Sequence, residues 1–129
     1  MKNQIYKANI KNTKQEEFKR RLYTLILKII KFAENLKQTS TSKIVGDQLL
    51  RSGTSILGNY IEGLSSSSKK EYLNYFNYSL KSANESKVWV SILKDTGNAN
   101  IEIANWLLIE LKEISSIFAS SILTLKGKR

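Results

Sequence analysis

The sequence predicts an all-α protein, an antiparallel up-and-down four-helix bundle, and three observations carry that prediction. The 129 residues include no proline and only six glycines, so little interrupts a helix, and Leu, Ile, Lys, Glu, Asn and Ser dominate. Apolar residues recur at three- and four-residue spacing in four successive stretches. Cap-forming polar residues bound these stretches, and the short connections join antiparallel neighbours. With 41% hydrophobic residues, the chain fits a single domain with a modest core and has no room for a second.

Residues 1–12 show no clear period and read as a basic N-terminal arm. Thr13 and Glu16 have the form of a capping box, which predicts a first helix over about 13–37. Phe18, Leu22, Leu25, Ile26, Ile29, Ala33 and Leu36 make its apolar stripe. Tyr23, Leu27 and Ile30 lie roughly 120–180° round from that stripe, a second apolar side that a monomeric bundle does not need. In the polar connection 38–42, one of Ser40, Thr41 or Ser42 is expected to cap a second helix over about 41–63. That helix carries Val45, Leu49, Ser52, Ile56, Asn59, Tyr60 and Gly63 along one face, and Ser52, Gly53, Ser55 and Gly58 are small enough to admit a closely packed neighbour.

Ser68 and Glu71 form a second capping box, opening a third helix over about 68–95 with Tyr72, Tyr75, Phe76, Ser79, Ala83, Ser86, Val90 and Leu93 on one face. Thr96-Gly97-Asn98 is expected to close that helix and cap the next. The fourth helix, about 99–126, has the cleanest period: Ala104, Leu107, Leu108, Leu111, Ile114, Phe118, Ile122 and Leu125, with Ile103, Trp106 and Ile117 off the stripe. The off-stripe residues on the first and fourth helices argue for assembly into a homo-oligomer.

Histidine and cysteine are both absent, which removes the usual general base, the commonest metal ligand and any disulfide framework. No enzyme activity, catalytic residue, metal or cofactor is expected. Glu110 and Glu113 have a spacing that holds magnesium in some helical enzymes, but no matching acidic pair exists, and they read as a solvated face. Neither a secretory signal nor a bilayer-spanning apolar run is evident, so a cytoplasmic location without membrane association is expected.

The net charge of +10 suggests an anionic partner, RNA or DNA. Residues 1–40 hold ten cationic and three acidic side chains, +7 of that total. Arg20, Arg21, Lys28 and Lys31 share one arc of the first helix with Thr24 and Asn35, either as an anion-binding face or as a solvated one. Lys69 and Lys70, at the start of the third helix, form a second basic locus, and Lys14 completes the nucleic-acid candidates.

A polar stripe of Ser52, Ser55, Asn59 and Glu62 on the second helix faces Ser82 and Glu85 on the third. The expected role is structural: a buried interhelical network that fixes register, with Arg51 ion-paired to Glu62 or Glu85. A catalytic or metal-binding Glu62–Glu85 pair is the weaker alternative, because two carboxylates alone are a poor ligand set.

Arg51-Ser52-x-x-Ser55-Ile56-x-x-Asn59-x-x-Glu62-Gly63, Ser67-Ser68-Lys69-Lys70-Glu71-Tyr72 and Ser82-Ala83-x-Glu85 together resemble the signature of the bacterial four helix bundle protein family, also called the 23S ribosomal RNA intervening sequence protein family. Ser52, Ser55, Asn59, Glu62, Ser82 and Glu85 match its recurrent polar positions, whereas Tyr60 stands where many members have a smaller residue. The accessory proteins of diversity-generating retroelements are similar in architecture. That resemblance implies a basic homopentameric ring associated with nucleic acid and a reverse transcriptase-like partner. The expected function is therefore a non-enzymatic oligomeric bundle that binds nucleic acid through a basic surface. The alternative is a protein-interaction scaffold or accessory subunit without direct nucleic-acid binding.

Overall fold

The computed structural model describes residues 2–127, with side chains from residue 13 onward. Four helices account for nearly all of it: α1 Lys2–Glu34, α2 Ser40–Leu64, α3 Lys69–Asp95 and α4 Ile101–Leu125. Each helix packs on its neighbour in sequence, and α4 returns to α1, which closes an up-and-down bundle. No helix among the described residues is long and apolar enough to cross a membrane.

The core is the apolar stripes turned inward. Leu22, Leu25, Ile29 and Phe32 from α1 meet Leu49, Ile56 and Tyr60 from α2, Phe76, Ala83, Val90 and Leu93 from α3, and Leu107, Leu111, Ile114 and Phe118 from α4. Toward the α2–α3 loop the packing becomes aromatic. Phe18, Tyr60, Phe76 and Phe118 meet largely edge to face at centroid separations of 5.1–6.0 Å, and Tyr72 stacks on Phe76 at 4.2 Å. Tyr60 thus fills the bundle with a ring where relatives are expected to have a smaller residue, and desolvation pushes its hydroxyl up to about 12, with smaller contributions from Tyr72 and Glu16.

The α2–α3 pair is the tightest in the bundle because its seam is built from small residues. Ser79, Ala83 and Ser86 are buried on α3, and Ser79 Oγ donates to the Ile56 carbonyl of α2 at 2.9 Å. A side chain at Gly63 would come within 3.1 Å of Tyr75 Cβ, so only glycine fits that crossing without displacing a neighbour.

Helix ends differ from the sequence expectations in four places. The first helix begins at Lys2 rather than at Thr13, because residues 2–12 contain no glycine or proline to halt a helix growing back from the packed region. Thr39, outside the expected 40–42 window, caps α2 in a reciprocal box with Ser42. Ser68 caps α3 as expected, but the Glu71 carboxylate accepts from the Ser67 backbone N–H.

At the other end of α3, Gly97 supplies the left-handed turn with φ +73°, while Asn100, not Asn98, caps α4. Asn98 is buried and has a different task. Its carbonyl accepts from Lys37 N–H at 2.9 Å and its side-chain oxygen accepts from Thr39 Oγ1 at 2.8 Å, so it ties the α1–α2 and α3–α4 loops together.

Candidate nucleic-acid interface

The nucleic-acid candidates do not form one surface. From Lys14 to Lys31 α1 rises about 25 Å, which separates its basic residues into different neighbourhoods. Arg21 is removed from the set altogether. Its guanidinium donates from Nε to Glu110 Oε2 at 2.9 Å, from Nη2 to Glu110 Oε1 at 2.6 Å, and also to the Glu113 carboxylate. Glu110 and Glu113 are thereby the α4 half of an α1–α4 clasp, not the solvated face that their spacing suggested. The hydrogen bond to Glu110, outweighing partial burial, drives the Arg21 pKa above its ordinary value and keeps the group charged.

Lys28 also turns to α4, with Nζ 4.9 Å from the centre of the Trp106 ring. Arg20 and Lys31 remain exposed on α1, beside an exposed apolar line containing Tyr23 and Leu27. Lys14, Lys69 and Lys70 are exposed at the opposite end of the bundle from Lys31. There Gln15 of α1, Ser66 and Ser67 of the α2–α3 connection, Lys69 at the start of α3, and Leu125 of α4 border one open depression. Lys126 follows directly and is exposed as well.

The polar stripe is not the buried network expected from its spacing. Ser52 is buried, and its hydroxyl lies 2.7 Å from that of Ser86, which in turn donates to the Ser82 carbonyl at 2.8 Å. Ser55 donates to the Arg51 carbonyl and Asn59 to the Ser55 carbonyl, both within α2. Glu62, Glu85 and Arg51 are exposed, and among the described residues none of them makes an ion pair. The stripe is wide enough that only its inner edge, Ser52, reaches the seam, and the crossing bonds are Ser52–Ser86 and Ser79–Ile56. Ser86 and Ser79, each one turn from Ser82, were legible only as small residues on the inner face of the third helix.

A basic, all-helical bundle with interhelical hydroxyl bonds and paired end loops defines the class. The particular family follows from comparison: the chain matches the 23S rRNA-intervening sequence proteins over residues 14–120 and belongs to that family. It is similar in structure to a protein of unknown function of the S23 ribosomal protein family from Bacteroides thetaiotaomicron, with a TM-score of 0.75 and 27% identity over 84% of this chain and 97% of that one. No curated protein matches it.

Proposed function

We propose that this protein is a non-enzymatic, oligomeric four-helix bundle that holds RNA or DNA by the phosphate backbone. The contact lies at the end where α1, the α2–α3 loop and the end of α4 converge. The observation that carries this reading is the set of exposed cations there: Lys14, Lys69, Lys70 and Lys126 have no ion pair among the described residues, whereas Arg21 is consumed by Glu110 and Glu113. Binding by phosphate neutralisation is weakly sequence-specific and strongly salt-dependent.

The test is titration of a structured RNA at low salt and at roughly 0.5 M salt, where screening is short-ranged. The triple reversal Lys14→Glu, Lys69→Glu, Lys70→Glu should abolish binding and leave the helical circular dichroism unchanged. Equal binding by parent and variant would refute the assignment. Exposed Tyr23 and Leu27 on α1 and Ile103 and Trp106 on α4 support the oligomer, and the family resemblance favours five copies; light scattering measures the mass. A scaffold for a protein partner, of the reverse transcriptase-associated kind, is favoured instead by exposed Ile44, Ile101 and Ile109, and would show salt-insensitive binding.

A further inference from the structure

The depression bordered by Gln15, Ser67 and Lys69 does not end at the α2–α3 connection. Tyr72 and Leu125 line it, and they also line a second one of about 630 Å³ on α4, among Ser116, Ser120, Ser121 and Thr124. The two therefore join into one trough, whose α4 wall from Ser116 to Leu125 is about 14 Å long. No carboxylate lines either part, and Lys69 supplies the charge. The depressions beside α1 differ in this respect, since Glu34 and Asp47 line one of them and Glu16 another.

The hydroxyls of the trough are turned to accept. Ser116 donates to the Lys112 carbonyl and Thr124 to the Ser120 carbonyl, both at 3.0 Å, and Ser66 donates to the Gly63 carbonyl at 2.6 Å. With their protons committed, these oxygens meet a ligand as acceptors. A phosphodiester has no donor to give them, whereas ribose 2′-hydroxyls and the N–H edges of bases do. In a duplex the Watson–Crick N–H groups are already paired, and an unpaired strand presents them. Where the two parts join stands an aromatic ring: Tyr72 is half-buried and stacked on Phe76 at 4.2 Å, which fixes it in place. Its hydroxyl and that of Ser121 bond to no other described residue. A fixed ring among acceptors, next to a cluster of cations, has the makeup of a platform on which a base stacks.

We propose that the trough holds an unpaired stretch of RNA a few nucleotides long, with a base against Tyr72 and the flanking phosphates on Lys14, Lys69 and Lys126. This rests on the phosphate-backbone reading above and names the form of nucleic acid selected, single-stranded RNA over duplex.

The test compares oligo(U) with the same strand annealed to oligo(A), titrated at low salt and followed by fluorescence anisotropy. Tyr72→Leu should weaken oligo(U) binding about 5- to 150-fold, the range for loss of one base–aromatic stack, and leave the duplex affinity and the salt slope unchanged. Tyr72→Phe keeps the ring and should bind oligo(U) as the parent does. In Tyr72→Trp, oligo(U) should quench the added indole beyond any change at Trp89 and Trp106 in the parent, a readout that does not depend on the leucine variant folding well. Equal oligo(U) affinity in Tyr72→Leu and parent, an equal loss for strand and duplex, or an unquenched indole in Tyr72→Trp would each overturn the base seat. The phosphate reading would survive any of these if the triple lysine reversal still abolished binding. A parent that binds neither strand nor duplex would overturn both.

Discussion

Tyr60 gives the sharpest quantitative test of the packing. Its ring is 3% exposed among Phe18, Phe76 and Phe118, and burial holds its hydroxyl neutral up to a pKa of about 12, against 10.0 for an unperturbed tyrosine. The raised pKa belongs to the folded state, so the unfolded chain releases the proton first as pH rises. Stability is therefore unaffected below about pH 10 and falls by about 1.4 kcal/mol per pH unit between roughly 10 and 12, a total of about 2–3 kcal/mol. Tyr60→Phe removes this proton while keeping the ring. The assay is urea unfolding of parent and variant from pH 8.5 to 11.5. Lysines and the other tyrosines titrate in both proteins, so the difference between the two stability curves isolates Tyr60. That difference should be flat to about pH 10 and then move in favour of the variant by roughly 1–2 kcal/mol at pH 11.5. Parallel curves throughout would show that the hydroxyl is hydrated and the aromatic packing looser than described.

Three further outcomes follow from the same geometry. Arg21→Ala leaves the half-buried Glu110 without its partner and should cost about 1–3 kcal/mol in chemical denaturation, with RNA affinity unchanged if the clasp is structural. Phe118→Ala, at the centre of the aromatic cluster, should cost about 3–5 kcal/mol, measured by thermal melting. A double-mutant cycle of Ser52→Ala and Ser86→Ala should show a coupling of about 0.5–1.5 kcal/mol, and additive effects would mean that the two hydroxyls do not bond across the seam.

The fold was legible because its determinants are periodic. The inward stripes of all four helices are visible in the chain, although Phe32, on the same arc as Leu25 and Ile29, escaped as a core residue. Helix ends were less legible because caps compete over neighbouring positions. Thr39, Ser40, Thr41 and Ser42 are all competent, and the choice of Thr39 is fixed by Asn98, distant in sequence, which accepts its hydroxyl. The candidate site was least legible, because a helical arc shows which residues point the same way but not what stands opposite. Arg21 shares an arc with Lys28, yet its fate is decided by Glu110 on a helix that closes the bundle only in three dimensions. Glu62 and Glu85 illustrate the reverse case, since helical spacing placed them near the seam but could not show that they lie on its solvent side.

The bond between Asn98 and the 37–39 turn bears on how such a chain can be lengthened. Both connections at that end are held in register by one buried side chain, so an inserted residue near Gln38 or Gly97 would unfasten two turns at once. Among the described residues, the Ser65–Ser67 connection at the opposite end bonds to its own flanking helices, through Ile61, Glu62, Gly63 and Glu71. Extra sequence, whether a natural insertion or an engineered fusion, belongs there.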